Sequence, residues 1–145
     1  MIKLQNNDMI EFRIKYAQSY LEDAKILYEH KSYNSAVSRL YYASYQAMWA
    51  AIGNPEEGRI WKHLAIIKPF IHGHWFNLKH PVQSQGLLEN FRLPLRQLYS
   101  LRVKADYELV EIKENIVKNQ IAIVADVIKT ILSKKGVSDE NISKG

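Results

Sequence analysis

The sequence predicts an all-α protein, an antiparallel bundle of four to five helices. Apolar residues recur at spacings of three and four rather than two, the period of a helix with one buried face. Only 6 Gly and 4 Pro interrupt the 145 residues. Hydrophobic residues make up 47% of the chain, and folding at this length buries roughly two-thirds of the surface the unfolded chain exposes. That is enough for one core without covalent or metal staples. With no repeat, low-complexity tract or composition break, residues 1–145 read as a single domain.

Asp8-Met9-Ile10-Glu11 has the form of a capping box, which starts the first helix at Asp8. Ile10, Ile14, Ala17, Leu21, Ala24 and Tyr28 then share one face. Ser32 or Asn34 caps a second helix that runs to Ile52, where Gly53 and Asn54-Pro55 supply a stop. Between Ser35 and Ile52 its non-aromatic polar residues are Ser35, Ser38, Arg39, Ser44 and Gln46. A helix so apolar all round belongs at the centre of the bundle. A third helix is expected over Arg59–Ile71 with Ile60, Leu64, Ile67 and Ile71 inward, kinked or shortened by Pro69. Gly73–Gly86 reads as loop. Leu87–Ala105 forms a fourth helix, which Pro94 is expected to split by removing the bond to the Asn90 carbonyl. The last helix runs from about Lys113 to Ser133 on the stripe Val117, Ile121, Val124, Ile128 and Ile131, with Gly136 ending it and residues 137–145 frayed.

Composition excludes several classes. With no Cys, there is neither a disulfide scaffold nor a thiolate metal site nor a Cys nucleophile. The start has no apolar stretch behind its Lys, and no run of eighteen apolar residues follows, so a cytoplasmic protein without a membrane span is expected. The net charge of +5 permits an anionic partner. No phosphate-binding Gly loop, Gly-x-Ser-x-Gly, His-Glu-x-x-His or paired-carboxylate motif occurs, which argues against the common hydrolases and kinases.

Two arginines carry the chemical interest. In the fourth helix Phe91, Leu95, Leu98 and Arg102 fall on the same side, which turns a permanently charged guanidinium towards the core. Such a group must be paired, solvated through a cleft or placed at an interface. Asp106, four residues on, is the nearest candidate partner, and the bland reading is a structural ion pair. Arg39, in the most apolar helix beside Tyr42, Gln46 and Trp49, is also expected to turn inward. It either extends its stem along the bundle with its head in water or contacts a phosphate next to a stacking surface. Of the five histidines, His30, His63, His72, His74 and His80, only His63 is placed like a working residue. His72 and His74 lack a carboxylate between Arg59 and Gln85 to complete a shell, so no metal and no other cofactor is expected. Arg92, Arg96 and Tyr99 form a cationic stripe that could contact a phosphate backbone or simply be a solvated face.

Read together, Tyr33-Asn34-Ser35-Ala36-Val37-Ser38-Arg39-Leu40-Tyr41-Tyr42-Ala43-Ser44-Tyr45-Gln46-Ala47, Lys62-His63 leading to Phe70, and Arg102-Val103-Lys104-Ala105-Asp106-Tyr107 resemble the HEPN domain (higher eukaryotes and prokaryotes nucleotide-binding). More narrowly, they are similar to its small stand-alone branch with an Arg-x-x-Ala-Asp-Tyr ending. The resemblance implies a helical bundle that often forms homodimers, commonly encoded beside a minimal nucleotidyltransferase as toxin and antitoxin. It further implies, in the active branch, a metal-independent RNase built on an Arg followed after four to six residues by His. Arg102 occupies the Arg position, but Tyr107, Glu108 and Leu109 stand where His is required. His63 is the candidate substitute, giving Arg102 and His63 as catalytic candidates. Arg39, Tyr42, Arg102, Asp106 and Tyr107 are the candidate binding residues for RNA or a nucleotide. The alternatives are a non-catalytic helical dimerisation or interaction module and an RNase despite the incomplete motif.

Overall fold

The computed structural model describes residues 6–56, 58–76 and 86–136. The expected tail at 137–145 and His80 lie outside them. Among the described residues there are five α-helices: α1 (Asn6–Glu29), α2 (Tyr33–Ile52), α3 (Ile67–His72), α4 (Leu87–Val103) and α5 (Glu114–Lys135). A 3₁₀ turn (Leu64–Ile66) leads into α3, and a π turn (Lys104–Glu108) continues α4. No strand occurs among the described residues, and none of their helices is long and apolar enough to cross a membrane.

The α1 helix already includes Asn6, so Asp8 falls inside it and not at the expected start. Its apolar stripe behaves as the 3.6-residue period dictates, with Ile14, Ala17, Leu21 and Ala24 buried. Lys31 then takes a left-handed conformation (φ 62°). Its N–H donates to the Tyr28 carbonyl at 2.9 Å, and that of Ser32 donates to Leu27 at 2.8 Å. This pair of bonds is the Schellman arrangement, with Lys where Gly is usual.

As its composition requires, α2 is the central helix, with eleven buried residues from Ala36 to Ala51. Its alanines let α1 pack closely on one side, while α5 and α4 cover the others. Ser32 occupies the cap position without a side-chain bond. Asn34 does not cap either; it fastens the link between the π turn and α5. Its Nδ2 donates to the Val110 carbonyl at 2.8 Å and its Oδ1 accepts from the Ile112 N–H at 2.9 Å.

The third helix is much shorter than expected. Residues 59–62 are irregular, and Ile60 is 74% exposed rather than inward, with Leu64 also exposed. Two contacts fix the irregular segment: Trp61 Nε1 donates to the Gly53 carbonyl at 2.7 Å, and the Tyr45 hydroxyl donates to the Trp61 carbonyl. Pro69 explains the late start. In the first turn of α3 its missing N–H costs nothing, whereas a helix begun at Arg59 would have put the proline in its interior.

Pro94 does not split α4, which runs unbroken from Leu87 into the π turn and ends at Leu109 with φ 56°. The helix therefore extends three residues beyond the expected Ala105. Gly136 closes α5 in the left-handed conformation, so that the helix ends at Lys135, two residues after the expected Ser133.

Candidate functional site

The last turn of α4 places Arg102 at the wall of α2. The residue is 9% exposed. Its Nε lies 3.3 Å from Asp106 Oδ2, an ion pair without the alignment of a hydrogen bond. Its Nη2 donates to the Tyr42 hydroxyl at 3.4 Å. Three rings surround the guanidinium carbon, Tyr41 at 5.0 Å, Tyr42 at 5.7 Å and Tyr107 at 5.8 Å from their centroids. These are cation–π distances. Burial works against the charge of Arg102, but Tyr42, Tyr41, Tyr107 and Asp106 outweigh it and hold the group above its ordinary pKa.

Asp106 is shared. Its Oδ1 accepts from Ser38 Oγ of α2 at 2.6 Å while Oδ2 faces Arg102. The π turn lies between these partners, and π turns within helices recur at functional sites.

Tyr41 joins Arg102 to His63. Its ring centroid is 5.5 Å from the imidazole, 5.9 Å from Tyr99 and 6.3 Å from Tyr45. Its hydroxyl shares a hydrogen bond with His63 Nδ1. Burial raises the Tyr41 pKa well above that of a free phenol, against the pull of Arg102, so the hydroxyl stays protonated. His63 is shifted down, first by partial loss of water and then by the Arg102 charge, so its neutral form is favoured. With Nδ1 engaged, Nε2 is the nitrogen left for chemistry, an acceptor when the proton sits on Nδ1 and a donor otherwise.

A groove of about 360 Å³ opens beside the ion pair, lined by Asn34, Ser35, Ser38, Arg39, Tyr42, Ala105 and Asp106. Arg39 is exposed here, with its guanidinium 5.7 Å from the Tyr20 ring. This corrects the inward placement expected from its apolar helix: the stem follows the bundle and the head reaches water. Tyr107 is 71% exposed.

The structure thus brings Arg39, Tyr42 and Asp106 to the lining of one groove, while Arg102 pairs with Asp106 and Tyr42, Tyr107 packs on the Arg102 guanidinium, and His63 is bonded to the Tyr41 hydroxyl. The Arg92–Arg96–Tyr99 stripe separates. Tyr99 packs on His63 and Tyr41, whereas Arg92 and Arg96 line a surface hollow against α3. His72 and His74 have ring centroids 6.1 Å apart, and no group of three or more metal-ligating side chains occurs among the described residues. Sequence reasoning missed Ser38 and Tyr41, and it grouped Tyr99 with Arg92 and Arg96 rather than with His63. Ser38 carried a signal as one of few polar residues in α2; Tyr41 looked like core.

The HEPN domain family matches residues 10–135. The chain belongs to the HEPN domain family. The match runs from the first turns of α1 to the end of α5 and includes both residues of the Arg102–Asp106 pair. This HEPN chain is also similar to the protein named "Putative toxin MJ0605" of Methanocaldococcus jannaschii. The two are 35% identical over 115 residues, which cover 74% of this chain and 76% of the relative.

Proposed function

We propose that this HEPN protein is the toxin-type component of a toxin–antitoxin or defence module and that it binds RNA in the groove beside Arg102. The observation that carries this reading is a guanidinium kept charged at 9% exposure, held by Asp106 and three tyrosines at the edge of an open groove. Placing a permanent cation there is costly unless something uses it. Arg39 adds a second guanidinium for the phosphate backbone, and Tyr42 and Tyr107 offer ring faces for bases. The likeness to a protein named as a toxin supports the module, and a nucleotidyltransferase is the proposed antitoxin partner. The protein works as a cytoplasmic homodimer in this reading.

The test is titration of fluorescently labelled RNA and of ATP against purified protein at low salt. Binding of RNA by the wild type, weakened at least tenfold in Arg102→Gln, is the expected result. Absence of RNA binding by the wild type overturns the reading, and binding of ATP alone transfers the groove to nucleotides.

One observation favours a second, catalytic reading: the Tyr41 hydroxyl orients His63 while the Arg102 guanidinium lies 5.0 Å from the centroid of the same ring. A nucleophile or base held by a third group is the usual arrangement of a working site. With its proton on Nδ1 and donated to the Tyr41 oxygen, His63 would accept the ribose 2′-hydroxyl proton at Nε2. The 2′-oxygen would then attack phosphorus as the bond to the 5′-oxygen breaks, with water protonating the leaving oxygen. Arg102 would balance the charge that develops on the phosphoryl oxygens. Incubation with RNA in excess chelator tests this. Cleavage lost in His63→Gln and in Arg102→Gln supports it, and cleavage unchanged in both identifies a contaminating nuclease.

A further inference from the structure

Two rings of α1, Phe12 and Tyr16, stand outside the core, and a third, Tyr20, packs against it while partly open to solvent. Phe12, Tyr16 and Tyr20 recur every four residues, beside the buried stripe of Ile14, Ala17 and Leu21 rather than on it. Phe12 is 54% exposed and Tyr16 47%. Burial of apolar surface therefore does not explain Phe12 and Tyr16, and adjoining exposed aromatic rings mark an interaction site.

The rings form a ladder with a destination. Phe12 meets Tyr16 edge-on at 5.0 Å, Tyr16 stacks on Tyr20 at 6.4 Å, and Tyr20 lies 6.0 Å from Tyr42. The Tyr42 hydroxyl is the one that accepts from Arg102. A shallow cavity of about 450 Å³ lined by Met9, Phe12, Arg13, Tyr16, Tyr20 and Gln46 runs along the ladder. Its Tyr20 faces Tyr42, which lines the groove beside Arg102.

Charge accompanies the rings. Arg13 stacks on Trp49, with its guanidinium 3.8 Å from the ring centroid, and donates to Gln46 Oε1 at 2.8 Å. Arg39 sits over Tyr20. Among the described residues no carboxylate lines the ladder cavity, and Asp106, the acid of the groove beyond Tyr42, is engaged by Arg102 and Ser38. Exposed rings interleaved with arginines, leading to a cationic groove, suit a strand whose bases are unpaired and whose backbone is anionic. They do not suit a duplex, in which base faces are covered.

We infer that the row Phe12–Tyr16–Tyr20–Tyr42 is a track on which single-stranded RNA stacks as it enters the Arg102 groove. The inference rests on the reading of that groove as an RNA site and adds that the strand is unpaired and approaches along α1.

The test measures affinity for a labelled oligouridylate and for an RNA duplex of equal length, across a range of salt, with the full chain. Phe12→Ser combined with Tyr16→Ser replaces exposed rings, and unchanged circular dichroism checks the fold. The single strand is expected to bind better than the duplex, and the double variant to lose about tenfold in affinity for it with little change in salt dependence. Arg39→Gln is expected to weaken binding and lower the salt slope by about one. Full affinity in the double variant, with binding still lost in Arg102→Gln, overturns the track and leaves the groove reading intact. Failure of the wild type to bind either RNA overturns the groove reading as well. Conversion of a dimer to a monomer by the double variant in sedimentation assigns the row to a second copy of the chain and also overturns the track.

Discussion

Asp106 holds Arg102 by one carboxylate oxygen, 3.3 Å from Nε, and gives the other to Ser38 at 2.6 Å. One anion therefore ties the end of α4 to the first half of α2 and orients the cation beside the groove. Because Arg102 cannot discharge, the anion matters more to it than to an ordinary surface pair.

Asp106→Asn should consequently destabilise the protein by about 1–2 kcal/mol. That lies between the small worth of an exposed pair and the large cost of breaking a buried one, since Asp106 is partly exposed. Ser38→Ala should cost less, about 0.5–1.5 kcal/mol. Urea denaturation at neutral pH measures both, and equal losses would contradict the central position given to the carboxylate.

The imidazole of His63 should report on Arg102. The cation disfavours protonation, so Arg102→Gln should move the His63 titration upward, read from its ring proton shifts by NMR. An unchanged midpoint would mean that the two groups are not coupled across Tyr41.

Folding stability should carry the same sign. The folded pKa of His63 lies below its unfolded value of about 6.5. The unfolded chain thus binds more protons in that range, and the His63 contribution is present above pH 6.5 and lost as pH falls through the folded pKa. Denaturation midpoints from pH 7.5 to 5 should fall less steeply in His63→Gln than in the wild type.

Asn34→Ala should cost about 1–2 kcal/mol, because it removes two hydrogen bonds and leaves the Ile112 N–H without that acceptor. Hydrogen exchange at Ile112 should accelerate by more than at Val124 in the middle of α5. A uniform change across α5 would show that Asn34 does not act on the link.

Lys31→Gly should stabilise. Lys31 pays for a left-handed conformation that glycine adopts freely, and the gain survives the added freedom of the unfolded chain. A rise in Tm of about 2–4 °C by calorimetry is expected.

The long helices were legible because periodicity reports which face is buried, and Ile14, Leu98, Val117 and Val124 are inside as their spacing demands. Where the sequence misled, a side chain acted through space. Trp61 holds residues 59–62 out of a helix by bonding back to Gly53, a contact no local pattern encodes. Arg102 and Asp106 were readable as a pair because helix geometry brings them together. Ser38 and Tyr41 were not, because their roles arise only when α2 lies against α4. Arg39 illustrates the limit of composition: an apolar helix need not bury every residue on it, and a long side chain can leave it.

Tyr107 stands five positions after Arg102, and five steps of an ordinary α-helix separate two side chains by about 140° around the axis. Its ring nevertheless lies 5.8 Å from the guanidinium carbon, across the widened coil of Lys104–Glu108. Pitch, and not only residue count, thus decides which downstream group faces this arginine. Deleting one residue here would re-phase everything beyond it while leaving each remaining side chain chemically intact.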